Sequence, residues 1–281
     1  MSVFRCGTIL LIASASFAQN PRPNAAALTA EAIMARVAAN QDRSEARRKQ
    51  YVYKQRIHIL TLKSGGKLMR EETADYNVAP TPDGTEKKLM LLTGRYWHKG
   101  RYERFTGEPT PEEDSFDSDL ISDLRDDLSD DTAKDGLARR WFPLTSEEQK
   151  GYAFQLLGQE VQRGRSVYHI SFQPKEKDET PWAGEAYIDA VEFEPVRVLT
   201  KLAGRLPLMI RIVLGIDVPG IGFDVVYQRQ PDGVWFPATV GTEFRIRAGF
   251  VTNRHVSVSL ENSAFQHTHV VSRIKGIGEV E

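Results

Sequence analysis

The sequence predicts a mainly β chain with helices: an α+β fold in which a curled, incomplete antiparallel β-barrel of about ten or eleven strands encloses helices or is covered by them. Three observations point there. A hydrophobic period of two runs through most of residues 51–105 and again from residue 152 onward. Short turn signals such as Ser64-Gly65-Gly66, Gln162-Arg163-Gly164-Arg165 and Pro231-Asp232-Gly233 separate these runs. Only two stretches carry helical spacing. No β-α alternation occurs, so a parallel sheet is not expected.

The chain opens with Arg5, an apolar run from Ile9 to Ala13, and Ser16-Phe17-Ala18 ahead of polar Gln19 and Asn20. That order is expected of a signal peptide over 1–18, cleaved near Ala18, and predicts an exported, periplasmic mature chain. Cys6 is the single cysteine and precedes the apolar run, so neither a lipid anchor nor a disulfide is expected. The 281 residues have a net charge of −1, which excludes a strongly basic chain built to coat nucleic acid. Mean hydropathy is −0.40, and no later apolar run reaches spanning length, so no transmembrane segment is expected in the mature chain.

Residues 19–28 read as a linker. A helix is expected from Thr29 to about Lys49, with Thr29 as N-cap, Ile33, Met34 and Val37 on one face, and cations toward its end. Tyr51, Tyr53, Ile57 and Ile59 then alternate with Lys54, Arg56 and His58, while Leu68, Ala74, Tyr76 and Val78 share one parity, which predicts a hairpin. Pro80 to Gly84 is a turn, and Leu89–Leu92 and Arg95–Phe105 are two further strand candidates, with Gly100 near the bend.

Residues 106–150 form an acidic insertion. Phe116, Leu120, Leu124 and Leu128 recur every fourth residue with Ile121 beside them, which predicts an amphipathic lid helix within 112–131 whose acids form a solvated outer face. After Tyr152 the strands resume: Tyr152–Glu160, Ser166–Gln173, Gly184–Ala190, Pro195–Leu202, a segment with Leu208, Ile210, Ile212 and Leu214 on one face, Phe223–Tyr227, a long hairpin from Trp235 to Leu260, and a last strand from His269 to Ile274. The tail 276–281 reads as frayed, and residues 29–275 as a single domain. Ten strands about 4.8 Å apart span about 48 Å, too wide for one or two helices to cover unless the sheet curls around them.

This order of elements resembles a known family. The helix segment Leu28–Gln41, the strand Trp182–Asp189 and the following Glu194-Pro195-Val196-Arg197-Val198 are similar to the pattern of the periplasmic lipoprotein-carrier superfamily, the outer-membrane lipoprotein-sorting proteins and their relatives. The resemblance covers most of residues 28–274 in order and type of element. It implies an incomplete antiparallel barrel, closed by helices, around an apolar cavity that takes acyl chains, and it implies no catalytic residue.

The function expected is therefore an exported protein that binds the acyl chains of a lipid or lipoprotein and is not an enzyme. The expected cavity wall is Leu208, Ile210, Ile212, Phe223, Val225, Tyr227, Phe244 and Ile246, which alternate with polar neighbours on adjacent strands. No cofactor is expected. The alternative is a periplasmic sensor or scaffold of the same fold that binds an envelope protein partner. A metal-dependent hydrolase would need His267 and His269, spaced as on one strand face, to meet a third ligand that no spacing nominates. Glu185 and Asp189 are four apart on one strand, about 13 Å, too far for a paired-acid site and expected to face solvent. The basic pairs Arg139-Arg140 and Arg245/Arg247 are suited to a lipid headgroup or to plain surface charge.

Overall fold

The structure, a computed structural model, describes residues 28–81, 84–108, 116–129, 142–176, 182–203, 216–217, 221–248 and 252–268. The expected signal peptide, the linker before Leu28, Arg139 and Arg140, Leu208, Ile210, Ile212 and Leu214, His269 with the last expected strand, and the tail 276–281 lie outside these residues.

The chain begins with helix α1 (Ala30–Arg48). The Thr29 hydroxyl accepts from the Ala32 N–H and caps it, while Arg47 and Arg48 in its last turn oppose the dipole. Four strands follow: β1 (Tyr51–Leu62), β2 (Leu68–Thr81), β3 (Gly84–His98) and β4 (Arg101–Thr106). The expected break after Leu92 is absent, because β3 runs unbroken from Gly84 through Arg95. The bend expected near Gly100 is a turn at Lys99 and Gly100, both at positive φ, as a tight hairpin requires. Helix α2 (Phe116–Ser129) lies within the acidic insertion. A single 3-10 turn (Glu148–Gly151) leads into β5 (Tyr152–Gln162), β6 (Arg165–Pro174), β7 (Trp182–Asp189) and β8 (Pro195–Leu202). The short β9 (Ile216–Asp217) precedes β10 (Gly222–Arg229), β11 (Trp235–Ala248) and β12 (Thr252–His267).

All pairings are antiparallel and form one sheet in the order β4-β3-β2-β1-β12-β11-β10-β8-β7-β6-β5, with β9 beside β11. The sheet is curled and does not close, as the sequence predicts. The chain's last described strand pairs with its first, Ile59 opposite Val258 and Leu62 opposite His255, which joins the two halves at the middle of the sheet.

Alternation sets which face each residue takes. Ile57 and Ile59 of β1, Ala74, Tyr76 and Val78 of β2, Val198 of β8, Val225 of β10 and Val256, Val258 and Leu260 of β12 turn to the same face and join one buried cluster. Ile33, Met34 and Val37 of α1 and Leu120 and Ile121 of α2 complete it from above. The helices divide the work: α1 packs on β5, and α2 packs on β1 and β2. A smaller aromatic cluster of Tyr51, Val234 and Phe236, with Phe265 against it, sits where β1, β11 and β12 meet.

Candidate ligand-binding site

The apolar interior lies between the inner face of the sheet and the two helices. Of the residues expected to line a cavity, Phe223, Val225 and Tyr227 on β10 and Phe244 and Ile246 on β11 are all buried and belong to the main cluster. The β10–β11 register sets Val225 opposite Val240, and β11–β12 sets Phe244 opposite Val256, so these side chains form a continuous apolar wall. Tyr227 departs from that apolar character. Its hydroxyl is buried without a hydrogen-bond partner, and burial pushes its pKa up.

Helix α2, which packs on β1 and β2, contributes Leu120 and Ile121, 9% and 0% exposed, to the same cluster, and Phe116, Leu124 and Leu128 are partly buried against it. The most buried part of α2 is thus at Leu120 and Ile121 and not spread evenly along the expected four-residue stripe. The acidic face is not wholly solvated, contrary to expectation. Asp117 is buried and accepts two hydrogen bonds from Arg254 of β12. Arg125 is buried as well, donating from Nη1 to Glu72 of β2 and from Nη2 to Glu108. At the C-terminal end, the Lys87 ammonium of β3 donates to the Leu128 carbonyl, which an isolated helix would leave unpaired.

The inner face of β2 holds a pair that the sequence reading missed. Arg70 and Glu72 are 1% and 3% exposed, and Arg70 Nε donates to Glu72 Oε1 at 2.8 Å. The Arg70 guanidinium lies 4.8 Å from the Phe105 ring centroid and 5.5 Å from that of Tyr96. The signal was present, because both residues share parity with Ala74, Tyr76 and Val78.

A second buried polar group fastens α1. Gln41 Nε2 donates to Glu194, with Ser44 Oγ at 3.5 Å from the other carboxylate oxygen, and Asn40 Nδ2 donates to the carbonyls of Glu192 and Phe193. Burial pushes the Glu194 pKa up to about 7, against the opposing pull of nearby Arg48. Asp189, expected to face solvent, is instead buried at the β7–β8 turn. It accepts from the Val191 and Glu192 N–H groups and from Arg165, so its role there is to hold the turn. Glu185 pairs with His169 at 2.9 Å.

Arg245 and Arg247 are exposed on the outer face. A cavity of about 200 Å³ also opens outward, lined by Glu71, Thr73, Thr93, Gly94, Arg95 and Arg104. His267 ends β12 with Nε2 3.0 Å from Gln50 Oε1 and its ring against Tyr51. Among the described residues no group of three or more His, Cys, Asp or Glu is placed to hold a metal ion. No described helix is long and apolar enough to cross a membrane.

No family model matches the sequence, and no curated protein matches it. Similar solved structures do exist. A DUF1329 family protein from Desulfovibrio piger is 14% identical over 87% of this chain and 95% of its own, with a TM-score of 0.41. A protein described as a putative outer membrane lipoprotein-sorting protein domain, from Vibrio parahaemolyticus, is 12% identical over 85% of this chain and 95% of its own, with a TM-score of 0.38. A LolA superfamily protein from Nitrosomonas europaea is 12% identical over 87% and 96%, with a TM-score of 0.35. The solved structures that this chain is similar to thus include lipoprotein-sorting proteins, the group named by the sequence resemblance.

Proposed function

We propose that this chain is an exported binding protein, not an enzyme, which holds the acyl chain of a lipid or lipoprotein between the inner face of its curved sheet and its helices. One observation carries the reading. The wall side chains of β10 and β11 and the lid side chains of α2 share one buried apolar cluster, beneath a sheet whose edges stay open. Lifting α2 breaks its ion pairs with Arg254 and Glu72 and the hydrogen bond from Lys87, but no strand ladder.

The magnitudes favour exchange. The five apolar side chains of α2 that meet the cluster are worth about 6–10 kcal/mol of burial, at about 1.5–3 kcal/mol for each fully buried one. A palmitoyl chain, at about 0.8 kcal/mol per methylene, offers about 12 kcal/mol if fully buried. A ligand of that size can therefore replace the helix stripe and still be released when the helix returns. The wall is Phe223, Val225, Tyr227, Phe244 and Ile246, extended in this proposal by Leu208, Ile210 and Ile212. Export to the periplasm rests on the order of basic, apolar and small residues before Gln19.

A second reading, a scaffold that binds a protein partner, rests on β3. Leu89, Met90 and Leu91 are 38%, 54% and 46% exposed, and β4 pairs only with Thr93–His98, so among the described residues no strand pairs with this stretch on its side away from β2. A fluorescent fatty-acid probe, together with lipid extraction of the protein purified from its own envelope, separates the readings. Saturable probe binding and a copurifying lipid are expected. If both fail, the scaffold reading replaces the acyl-chain one.

A further inference from the structure

We propose that Arg70, uncovered when Arg125 withdraws with α2, receives an oxyanion, a carboxylate or phosphate group, at the end of the bound acyl chain. The proposal rests on the acyl-chain reading and specifies the headgroup that this site selects.

The inference starts from donors without acceptors. A guanidinium has five N–H groups. Arg70 is 1% exposed, and only its Nε makes a hydrogen bond to Glu72. Its Nη2 lies 2.7 Å from the same Glu72 oxygen without hydrogen-bond geometry, and Nη1 and Nη2 are both buried without a hydrogen-bond partner. The other Glu72 oxygen is taken by Arg125. Two buried guanidinium groups therefore share one buried carboxylate. The remaining carboxylates near Arg125, Glu108 and Asp126, are 63% and 70% exposed. Buried N–H donors such as Nη1 and Nη2 of Arg70 are unfavourable unless an acceptor joins them. The faces of Tyr96 and Phe105 attract the cation but give its N–H groups no directional acceptor. A further orphan lies on the same inner face, two residues along β3 from Tyr96. There His98 Nδ1 is buried without a hydrogen bond, 3.5 Å from Glu103 Oε2.

Position and shape agree with an oxyanion. The planar guanidinium fork matches a carboxylate or phosphate with two parallel hydrogen bonds, which an ammonium cannot do. Arg70 occupies the inner face of β2, in line with Ala74, Tyr76 and Val78 of the apolar cluster, and beneath α2. Among the described residues, Glu72 is bound from above only by Arg125, a residue of α2. Displacement of α2 by an acyl chain would withdraw Arg125 and uncover Arg70 at the end of the apolar layer.

The test compares palmitate, hexadecyl phosphate and hexadecanol as competitors of a fluorescent fatty alcohol bound to the full-length wild-type protein. Both anions are expected to compete at least about tenfold better than hexadecanol, the equivalent of one well-made charged contact. In Arg70→Met the three ligands should fall within about a factor of two of one another, with hexadecanol affinity kept as the measure of an intact fold. Equal competition in the wild-type protein overturns the headgroup site while leaving acyl binding intact, and it needs no variant. Displacement of the probe by acetate or inorganic phosphate alone overturns the proposal differently, as an anion site independent of lipid. No binding of the alcohol probe at all removes the acyl-chain reading and this proposal with it.

Discussion

Asp117 on α2 accepts hydrogen bonds from both Nε and Nη2 of Arg254 on β12, each at 2.7 Å, with both side chains largely shielded from water. This bidentate pair ties the start of the lid helix to the strand that carries Val256 and Val258 into the core. Ile246, a residue of the expected wall, stands opposite Arg254 in the β11–β12 register, so the latch sits at the boundary between lid and wall.

Breaking one side of that pair leaves a shielded charge without its partner. Arg254→Met is expected to destabilise the fold by about 3–5 kcal/mol in urea denaturation, and adding Asp117→Leu should recover most of the loss. A single-variant effect within experimental error would mean that the pair is solvated and does not hold the helix.

The lid's apolar centre is predicted to be Ile121. Ile121→Ala should cost about 2–4 kcal/mol, because a fully buried side chain leaves a cavity. Leu124→Ala, on a partly buried side chain, should cost less than half of that. Chemical denaturation of the two variants decides it, and the reverse order would displace α2 from the position described.

Glu194 predicts a pH dependence whose sign follows from its raised pKa, about 7 against an ordinary 4.5. Below pH 4.5 both folded and unfolded chains hold the proton, and the group has no effect. Between 4.5 and about 7 the unfolded chain releases it first, so stability falls as pH rises, by about 3 kcal/mol in total. The groups facing it are Gln41, Ser44 and Arg48 of α1 and the neighbouring Glu192. Glu194→Gln should flatten this fall, as read from unfolding free energies across that pH range. An unchanged slope would mean that Arg48 keeps the carboxylate ionised throughout.

Gly94 predicts a steric effect beside Arg70. An added Cβ there would meet Phe105 Cζ at 2.3 Å and the Glu71 carbonyl oxygen at 2.5 Å, and the latter is backbone that no rotamer moves. Gly94→Ala should cost about 1–3 kcal/mol and lower Tm. Gly158→Ala, whose added carbon meets nothing within 4 Å, should leave Tm unchanged.

Much of the fold is legible in the sequence because alternation is a local signal. Ile57, Ile59, Tyr76 and Val78 declare their faces from spacing alone, and Thr29 marks the helix start. Chain topology is less legible. Nothing local says that β12 pairs with β1, since that contact joins residues about two hundred positions apart. The unbroken β3 was missed because Met90 sits in a bulge: Tyr76 pairs with Leu89 and Asp75 with Leu91, so three successive apolar residues lose their alternation. Asp117 and Asp189 are expected to face solvent, where charge usually lies, yet both are buried, as is Arg125. Their burial depends on partners at Arg254, Glu72 and Arg165, which only the folded chain supplies. Arg70 and Glu72 show the opposite case, where parity placed them inside and charge argued them out.

The central claim is that an acyl chain lies between the wall of β10 and β11 and the lid helix. Photolabelling with a diazirine-bearing palmitate, followed by peptide mass spectrometry, tests it most directly. The account predicts labels on the segments Phe223–Tyr227 and Phe244–Ile246 and on α2 around Leu120 and Ile121, suppressed by excess palmitate. Labels confined to the exposed Leu89–Leu91 stretch of β3, or labelling that excess palmitate does not suppress, would contradict it.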